Sequence, residues 1–225
     1  MNAQGMLEQV LKSGLSMIEG KPQAPGSPAR NADWGQFGAG AAAGGALGLL
    51  LGSRRGRKFG GKALKYGSVA ALGLLAYKAY GNWQAQQQRP SGMPSAPAPR
   101  TVNLLPAPDA ESHSRAMLQS MVAAAKADGH LDERERSLVE AELNRIAADE
   151  TTRRWFEDEL RKPLDPAEVA RAAASPEMAA EMYLASLLVA DETSFMERAY
   201  LDELARQLRL PDGLKMELER QALAA

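Results

Sequence analysis

Apolar residues in the C-terminal half of the chain recur at the spacing of three to four positions that predicts α-helices. The stripes over 109–225 are separated by helix stop and start signals, beginning with Asp128-Gly129, which ends the first helix. The predicted starts of later helices are Asp132 with Glu135, Asp165-Pro166, Ser175-Pro176, Ser194 with Glu197, and Pro211-Asp212. A further stripe carries Trp155, Phe156 and Leu160. No segment shows the alternation of a strand, so we predict an all-α bundle of seven helices, large enough for its own core.

The N-terminal segment 1–33 also begins with helical periodicity. Leu7, Leu11 and Ile18 fall on one stripe, and charged residues lie off it. We interpret residues 1–20 as a short amphipathic surface helix, followed by a proline-rich loop. The alternative is a helix that lies on a bilayer or docks on a partner.

Residues 34–53 form an uncharged run that predicts a transmembrane helix. Its twenty residues correspond to about 30 Å of helix, which is the hydrocarbon thickness of a bilayer. Trp34 and Phe37 stand at one end, where interfacial aromatic residues are found, and Arg54 follows the other end. The alternative is a flexible Gly/Ala linker, but a linker has no need of the leucine cluster within 47–51.

Glycine recurs at every fourth position of this run and beyond it, at Gly40, Gly44, Gly48, Gly52, Gly56 and Gly60. On a helix this spacing leaves one face nearly bare, so that a second backbone can approach closely. Close packing of that kind drives helix association in lipid. We therefore predict a homo-oligomer that forms in the bilayer through Gly40, Gly44, Gly48 and Gly52.

A basic run and a second apolar segment complete the predicted membrane anchor, 34–83. Residues 54–65 are cationic without any acid, and residues 66–83 are apolar and rich in tyrosine. The uncharged stretch between Lys65 and Lys78 spans only about 18 Å as a helix, which is short for an independent span. Two topologies stay open: one span followed by an interfacial helix, or a two-helix hairpin.

Charge and composition divide the chain further. Nine basic residues and no acidic ones occur between Asp33 and Asp109, whereas the part from Asp109 onward has 25 acids against 15 Lys and Arg. An acidic domain argues against nucleic-acid binding, because phosphate contacts need Lys and Arg. The linker 84–108 holds six prolines and is typical of an extended tether. The absence of cysteine excludes a disulfide scaffold, a thiolate metal site and a cysteine nucleophile.

The runs KADGHLDERE (126–135) and VADETSFMER (189–198) resemble the two acidic turns of the TerB-like domain, a family named after bacterial tellurite resistance. The preceding GSRRGRK run and ALKYGSVAALGLLAYKAYGNWQ segment are similar to the inner-membrane YebE-type branch of that family. The resemblance implies a two-fold pseudo-repeat within the seven helices, a bacterial inner-membrane location and no established enzymatic activity. The second turn lacks the glycine and the second aspartate of the first, so two equal sites are not implied.

The two acidic turns carry the candidate metal ligands, which are Asp128, Asp132, Glu135, Asp191 and Glu192. Their carboxylate oxygens are the ligands that a divalent cation such as Ca²⁺ or Mg²⁺ prefers. If the pseudo-repeat brings the turns together, both sets, joined by Glu197, can share one cation. The spacing falls short of an EF-hand loop. The simpler interpretation is that these acids only cap helix N-termini.

No catalytic motif occurs, neither a nucleophile elbow, a phosphate-binding loop, a dinucleotide fingerprint nor HExxH. Two function classes remain. The first and favoured one is a membrane-anchored interaction module that binds a protein partner and a cation and acts in envelope or metal stress. The second is a metal-dependent enzyme that uses the acidic cluster. We assign no catalytic residue, and His113, in the first turn of its helix, receives no role.

The basic run also predicts sidedness. Lys and Arg close to a membrane span stay in the cytoplasm. For a single span over 34–53, the basic run and the helical domain after it are therefore expected in the cytoplasm. A hairpin would place the helical domain on the other side.

Overall fold

The structure is a computed structural model that describes residues 2–18, 69–87, 107–127, 149–190 and 194–224. These residues form eight α-helices and no strand, which confirms the all-α class. The helices are α1 (Ala3–Ile18), α2 (Val69–Gln87), α3 (Ala107–Ala125), α4 (Glu150–Arg161), α5 (Pro166–Ala170), α6 (Pro176–Val189), α7 (Phe195–Gln207) and α8 (Asp212–Ala224). The predicted span 34–53, its glycine stripe, the basic run, most of the linker and the helix predicted after Asp132 lie outside the described residues.

Polar side chains cap the N-termini of several helices at the residues that the sequence predicted. Asp165 accepts a hydrogen bond from the Ala167 N–H at 2.9 Å and begins α5. Ser175 accepts one from the Met178 N–H at 3.1 Å and begins α6. Ser194 caps α7 in the same way. These bonds satisfy backbone donors that have no partner within the helix, so the short polar residues fix where each helix begins.

α6 lies at the centre of the bundle and packs on α3, α2, α8 and α7. Almost every residue along it is buried, including Met182, Tyr183 and Leu184 with no exposed surface. The apolar residues surround this helix instead of forming one stripe, and a helix of that kind is stable when neighbours enclose it on all sides. The pattern therefore explains why α6, and not a more polar helix, occupies the centre.

α1 packs along α3 at the edge of the bundle. The backbone N–H groups of Ala3 and Gln4 donate to the two carboxylate oxygens of Glu111 in α3, at 2.8 and 3.2 Å. A carboxylate at this position both satisfies free donors and complements the positive end of the helix dipole. Met6 and Leu7 are fully buried. A helix thus occupies most of the segment 1–20, and its buried residues dock on the bundle.

α2 contains most of the second apolar segment and packs on α8 and α6. Leu72, Ala76 and Ala79 form its buried face. The Asn82 Nδ2 donates to the Glu217 Oε1 of α8 at 2.7 Å, and this bond fixes the position of α2 along α8.

Among the helices of the described ranges, none combines the length and the apolar character needed to cross a bilayer.

Candidate functional site

The sequence-predicted metal ligands Asp128, Asp132, Glu135, Asp191 and Glu192 all lie outside the described residues. Glu197, the sixth candidate, is described: it is buried in the first turn of α7, and its N–H donates to Ser194 Oγ at 3.5 Å. Within the described ranges, no group of three or more His, Asp or Glu side chains is arranged to hold a metal ion. The metal prediction therefore stays a prediction.

The helices that lead into the two acidic turns are nevertheless positioned by described contacts. His113 of α3 meets Glu181 of α6, and further along both helices Ser120 exchanges hydrogen bonds with α6. The Ser120 Oγ donates to the Met182 carbonyl at 3.0 Å, and the Ser186 Oγ donates to the Ser120 carbonyl at 3.2 Å. Because the contacts advance in the same direction along both helices, α3 and α6 end toward the same side of the bundle.

A cluster of charges lies beside the end of α3. The Lys126 ammonium donates to the backbone carbonyls of Glu159, at 3.0 Å, and of Lys162 at the end of α4. A cation at the carboxyl end of a helix satisfies carbonyls that have no partner within it and complements the helix dipole. The Lys162 ammonium in turn pairs with the carboxylates of Glu159 at 2.5 Å and Glu168 at 3.2 Å. The hydrogen bond to Glu159 is the main cause of the raised pKa of Lys162. These contacts tie α3, α4 and α5 together.

A buried contact between a histidine and a glutamate joins α3 to α6, and no motif in the sequence indicated it. The His113 Nε2 contacts the Glu181 Oε2, and the two residues are 4% and 0% exposed. No substrate can reach these groups, so the pair serves the fold and is not a catalytic site. Two signals in the sequence mark its members, although neither signal identifies the partner. His113 lies four residues before Met117 on the apolar stripe of α3, and Glu181 is the only charged residue in the run 178–190.

The aromatic residues that the sequence analysis assigned to the core occupy it. Phe156 and Tyr183 are buried, and the Tyr183 hydroxyl donates to Glu219 Oε1 of α8 at 2.8 Å. Trp155 is half-buried, and the Arg115 guanidinium lies over its ring at 5.8 Å from the centroid. Such a stack is a cation–π contact. These aromatic side chains therefore pack and orient the helices.

The surface carries large apolar residues that the described helices leave uncovered. Leu74 and Tyr77 of α2 are 59% and 44% exposed, and Phe195 of α7 is 75% exposed. Leu74 and Tyr77 are three residues apart and so share one face of α2. This exposed face is apolar, whereas the solvent-facing side of a surface helix is ordinarily polar. It is the strongest candidate for contact with another molecule in the described part of the chain.

Comparisons with known proteins identify a family, but the descriptions of its model and of a relative state no function. The family model described as "Protein of unknown function (DUF533)" matches residues 36–222. A curated relative from Yersinia enterocolitica, described as "Uncharacterized protein in ampR 5'region", is 34% identical over 104 residues. The matched part covers 46% of this chain and 75% of the relative. No solved structure matches the chain.

Proposed function

The chain belongs to the DUF533 family, and we propose that it is a TerB-like interaction module anchored in the bacterial inner membrane. The observation that carries this proposal is the outward face of α2, where Leu74, Tyr77 and Lys78 are exposed. The opposite face, which includes Leu72 and Ala76, is already buried against the bundle. α2 therefore has more apolar surface than the described helices cover.

A bilayer surface suits this face chemically. Exposed apolar patches mark sites that contact proteins or membranes. Tyrosine is enriched at the level of the lipid headgroups, and a lysine can extend its ammonium toward water while its stem lies on apolar surface. Of the two topologies left open by the sequence, this arrangement favours a single span over 34–53 followed by α2 as an interfacial helix.

The absence of cysteine permits a direct test with single labels. Tyr77→Cys and, as a matched control, Phe195→Cys would each be labelled with an environment-sensitive fluorophore in the full chain, reconstituted into vesicles. Lipids with brominated acyl chains would act as quenchers. We expect strong quenching at position 77 and little at position 195. Equal quenching at the two positions, or none at position 77, would contradict the interfacial position of α2.

The helical bundle is proposed to lie on the cytoplasmic side. The support is the basic run 54–65, which directly follows the predicted span, together with the tendency of Lys and Arg to stay inside. Two reporters fused after Ala225, one active only in the cytoplasm and one only in the periplasm, test this. Periplasmic activity would instead favour the hairpin.

Divalent-cation binding by the acidic turns is a further part of the proposal. Its support is that α3 and α6, which precede the turns containing Asp128 and Asp191, end toward the same side of the bundle. Calorimetry of the full chain with Ca²⁺ and Mg²⁺ would compare the wild type with Asp128→Asn/Asp191→Asn. Equal heats would leave these acids with helix capping alone. A protein partner, and the link to envelope or metal stress, rest on the TerB-like resemblance.

Self-association through the glycine stripe completes the proposal. Replacing Gly44 and Gly48 by Leu fills the bare helix face and raises the hydrophobicity of the span, so membrane insertion should survive while association fails. Cross-linking in membranes measures the dimer. A wild-type chain that yields only monomer, or a double variant that dimerises as well as wild type, would contradict the role of the stripe.

A further inference from the structure

A groove of about 670 Å³ lies between α2, the connection from α5 to α6, and the connection from α7 to α8. Its volume falls within the range of about 300–1,000 Å³ that is typical of small-molecule sites. Ala173 and Ala174 line one side, and their short side chains leave open space that larger residues would fill. Leu214 forms part of the base and is buried. The groove is therefore large enough to hold a small ligand that has both apolar and polar parts.

Two aromatic side chains of α2 form another wall of the groove. Tyr80 and Trp83 pack against each other with their ring centroids 5.5 Å apart and their planes tilted by 58°. The indole of Trp83 is held in place from behind, because a Cβ added at Gly213 of α8 would lie only 3.1 Å from it. Rings fixed in this way offer two apolar faces, set at an angle to each other, at little cost in conformational entropy.

Two arginines, Arg171 and Arg209, line the same groove and are exposed. Within the described ranges, neither guanidinium forms an ion pair with a carboxylate. Neighbouring cations differ: Arg206 pairs with Glu203, and Lys215 with Asp202 at 2.7 Å. The groove thus carries positive charge that its surroundings do not neutralise, although this half of the chain is acidic overall.

The backbone at Arg209 adds a second, independent observation. Its φ angle is 55°, and among the described residues other than glycine no other φ is positive. The Leu210 N–H donates back to the Ala205 carbonyl at 3.0 Å, which is the bond of the Schellman motif that ends α7. Glycine occupies the left-handed position of that motif with less strain than any residue with a Cβ. Arginine therefore stands where its backbone is disfavoured, and its side chain extends the basic edge of the groove.

From these observations we propose that the groove binds a small amphiphilic anion. Its aromatic or aliphatic body would pack against the tilted rings of Tyr80 and Trp83, and its carboxylate or phosphate would pair with Arg171 and Arg209. Guanidinium groups bind such anions through charge-assisted hydrogen bonds in a fixed planar geometry. The proposal is independent of the membrane role, because the outward face of α2, Leu74 and Tyr77, does not line the groove.

Calorimetry with naphthalene probes tests the proposal on the full chain in a neutral detergent, with protein-free micelles as the blank. The probes are 2-naphthoate, 2-naphthyl phosphate and the uncharged 2-naphthalenemethanol. Arg209→Gly is the decisive variant, because it removes the guanidinium and at the same time relaxes the left-handed backbone, so that folding is preserved. Arg198→Ala is the matched control: it removes an exposed arginine of α7 that does not line the groove.

We expect both anions to bind the wild type at least tenfold more tightly than the alcohol. Arg209→Gly should weaken anion binding about tenfold or more, in line with the loss of one charge-assisted hydrogen bond, and Arg198→Ala should change it less than twofold. Ala174→Phe, which fills the exposed side of the groove, should abolish binding of all three probes. Equal binding of the alcohol, an unchanged affinity in Arg209→Gly, or no heat with the wild type would each overturn the proposal.

Discussion

α6 and α2 are built from the same kind of sequence and have different surroundings. Both helices carry apolar residues around most of their circumference. In α6 the bundle covers nearly all of that surface, and Leu184 is completely buried. In α2 it covers only one face, and Leu74 on the other face is 59% exposed. The comparison shows that the apolar content of a helix does not identify its environment. Helices buried in a protein core and helices at a bilayer surface are rich in similar residues.

The charged side chains of α6 and α2 also differ in burial. Glu181 of α6 is fully buried and contacts His113, whereas Lys78 of α2 is exposed. A buried charge needs a partner, because removal from water is unfavourable unless it is compensated. An exposed lysine beside an apolar face needs none. Substitutions in α6 should therefore act on folding, and substitutions on the outward face of α2 should act on contacts with other molecules.

The largest expected effect is the loss of the buried contact between Glu181 of α6 and His113 of α3. Glu181→Ala leaves His113 buried without its carboxylate, and we expect a loss of about 3–5 kcal/mol in the free energy of unfolding. Urea denaturation followed by circular dichroism measures it. The double variant His113→Leu/Glu181→Met should recover a large part of the loss, because apolar residues of similar size can replace a buried pair. A single variant as stable as wild type would show that the pair does not hold α3 on α6.

A matched pair of leucines measures the contrast between the two helices directly. Leu184→Ala should lower the free energy of unfolding by about 3 kcal/mol, because it leaves a cavity in the core. Leu74→Ala, the same chemical change on the outward face of α2, should cost less than about 0.5 kcal/mol. Denaturation of both variants under one set of conditions gives the comparison. A large loss from Leu74→Ala would mean that this face is covered within the folded protein itself.

The boundary between α2 and α8 should respond to pH through Glu217. Hydrogen bonds from Arg220, Gln221 and Asn82 lower the pKa of this buried carboxylate from 4.5 to about 2, with Arg220 as the main cause. Because the folded pKa lies below the unfolded value, the stabilisation is present above pH 4.5 and is lost as the pH falls toward 2. Arg220 is 60% exposed, and solvent screening therefore limits the effect to about 1 kcal/mol.

Glu217→Gln removes this contribution. The variant should be less stable than wild type at pH 7, and the difference between them should shrink as the pH is lowered from 4.5 to 2. Unfolding curves at several pH values between 2 and 7 provide the measurement. A difference in stability that stays constant over this range would assign the effect to packing and not to the charge of Glu217.

Local signals in the sequence were sufficient to locate most helices. Asp165, Ser175 and Ser194 begin helices in the structure as predicted, because a cap depends only on residues within one turn. The His113–Glu181 pair was missed because its members lie in different helices, and neither residue by itself indicates its partner. Charged residues within apolar stripes are a warning of such pairs, and they specify no geometry.

The second apolar segment illustrates the other limit of sequence reasoning. Its hydrophobicity indicated burial against an apolar neighbour, and the sequence assigned residues 66–83 to the membrane anchor. In the structure, the described part of this segment packs on α8 through contacts such as Asn82 with Glu217. Periodicity cannot distinguish burial against another helix from burial against lipid, because both remove apolar surface from water.

The smallest expected effect has the opposite sign and again compares the two sides of α2. Gly81 lies within α2 with no atom near the position of a Cβ, so that Gly81→Ala should stabilise the protein by about 0.5–1 kcal/mol by reducing the flexibility of the unfolded chain. Gly213 of α8 is the control on the packed side, because a Cβ there would lie 3.1 Å from the Trp83 indole. Gly213→Ala should therefore gain nothing or lose stability. The melting temperatures of the two variants, compared with that of wild type, distinguish the exposed side of α2 from the side packed on α8. A destabilised Gly81→Ala would mean that another part of the chain, or another molecule, already occupies the outward surface of α2.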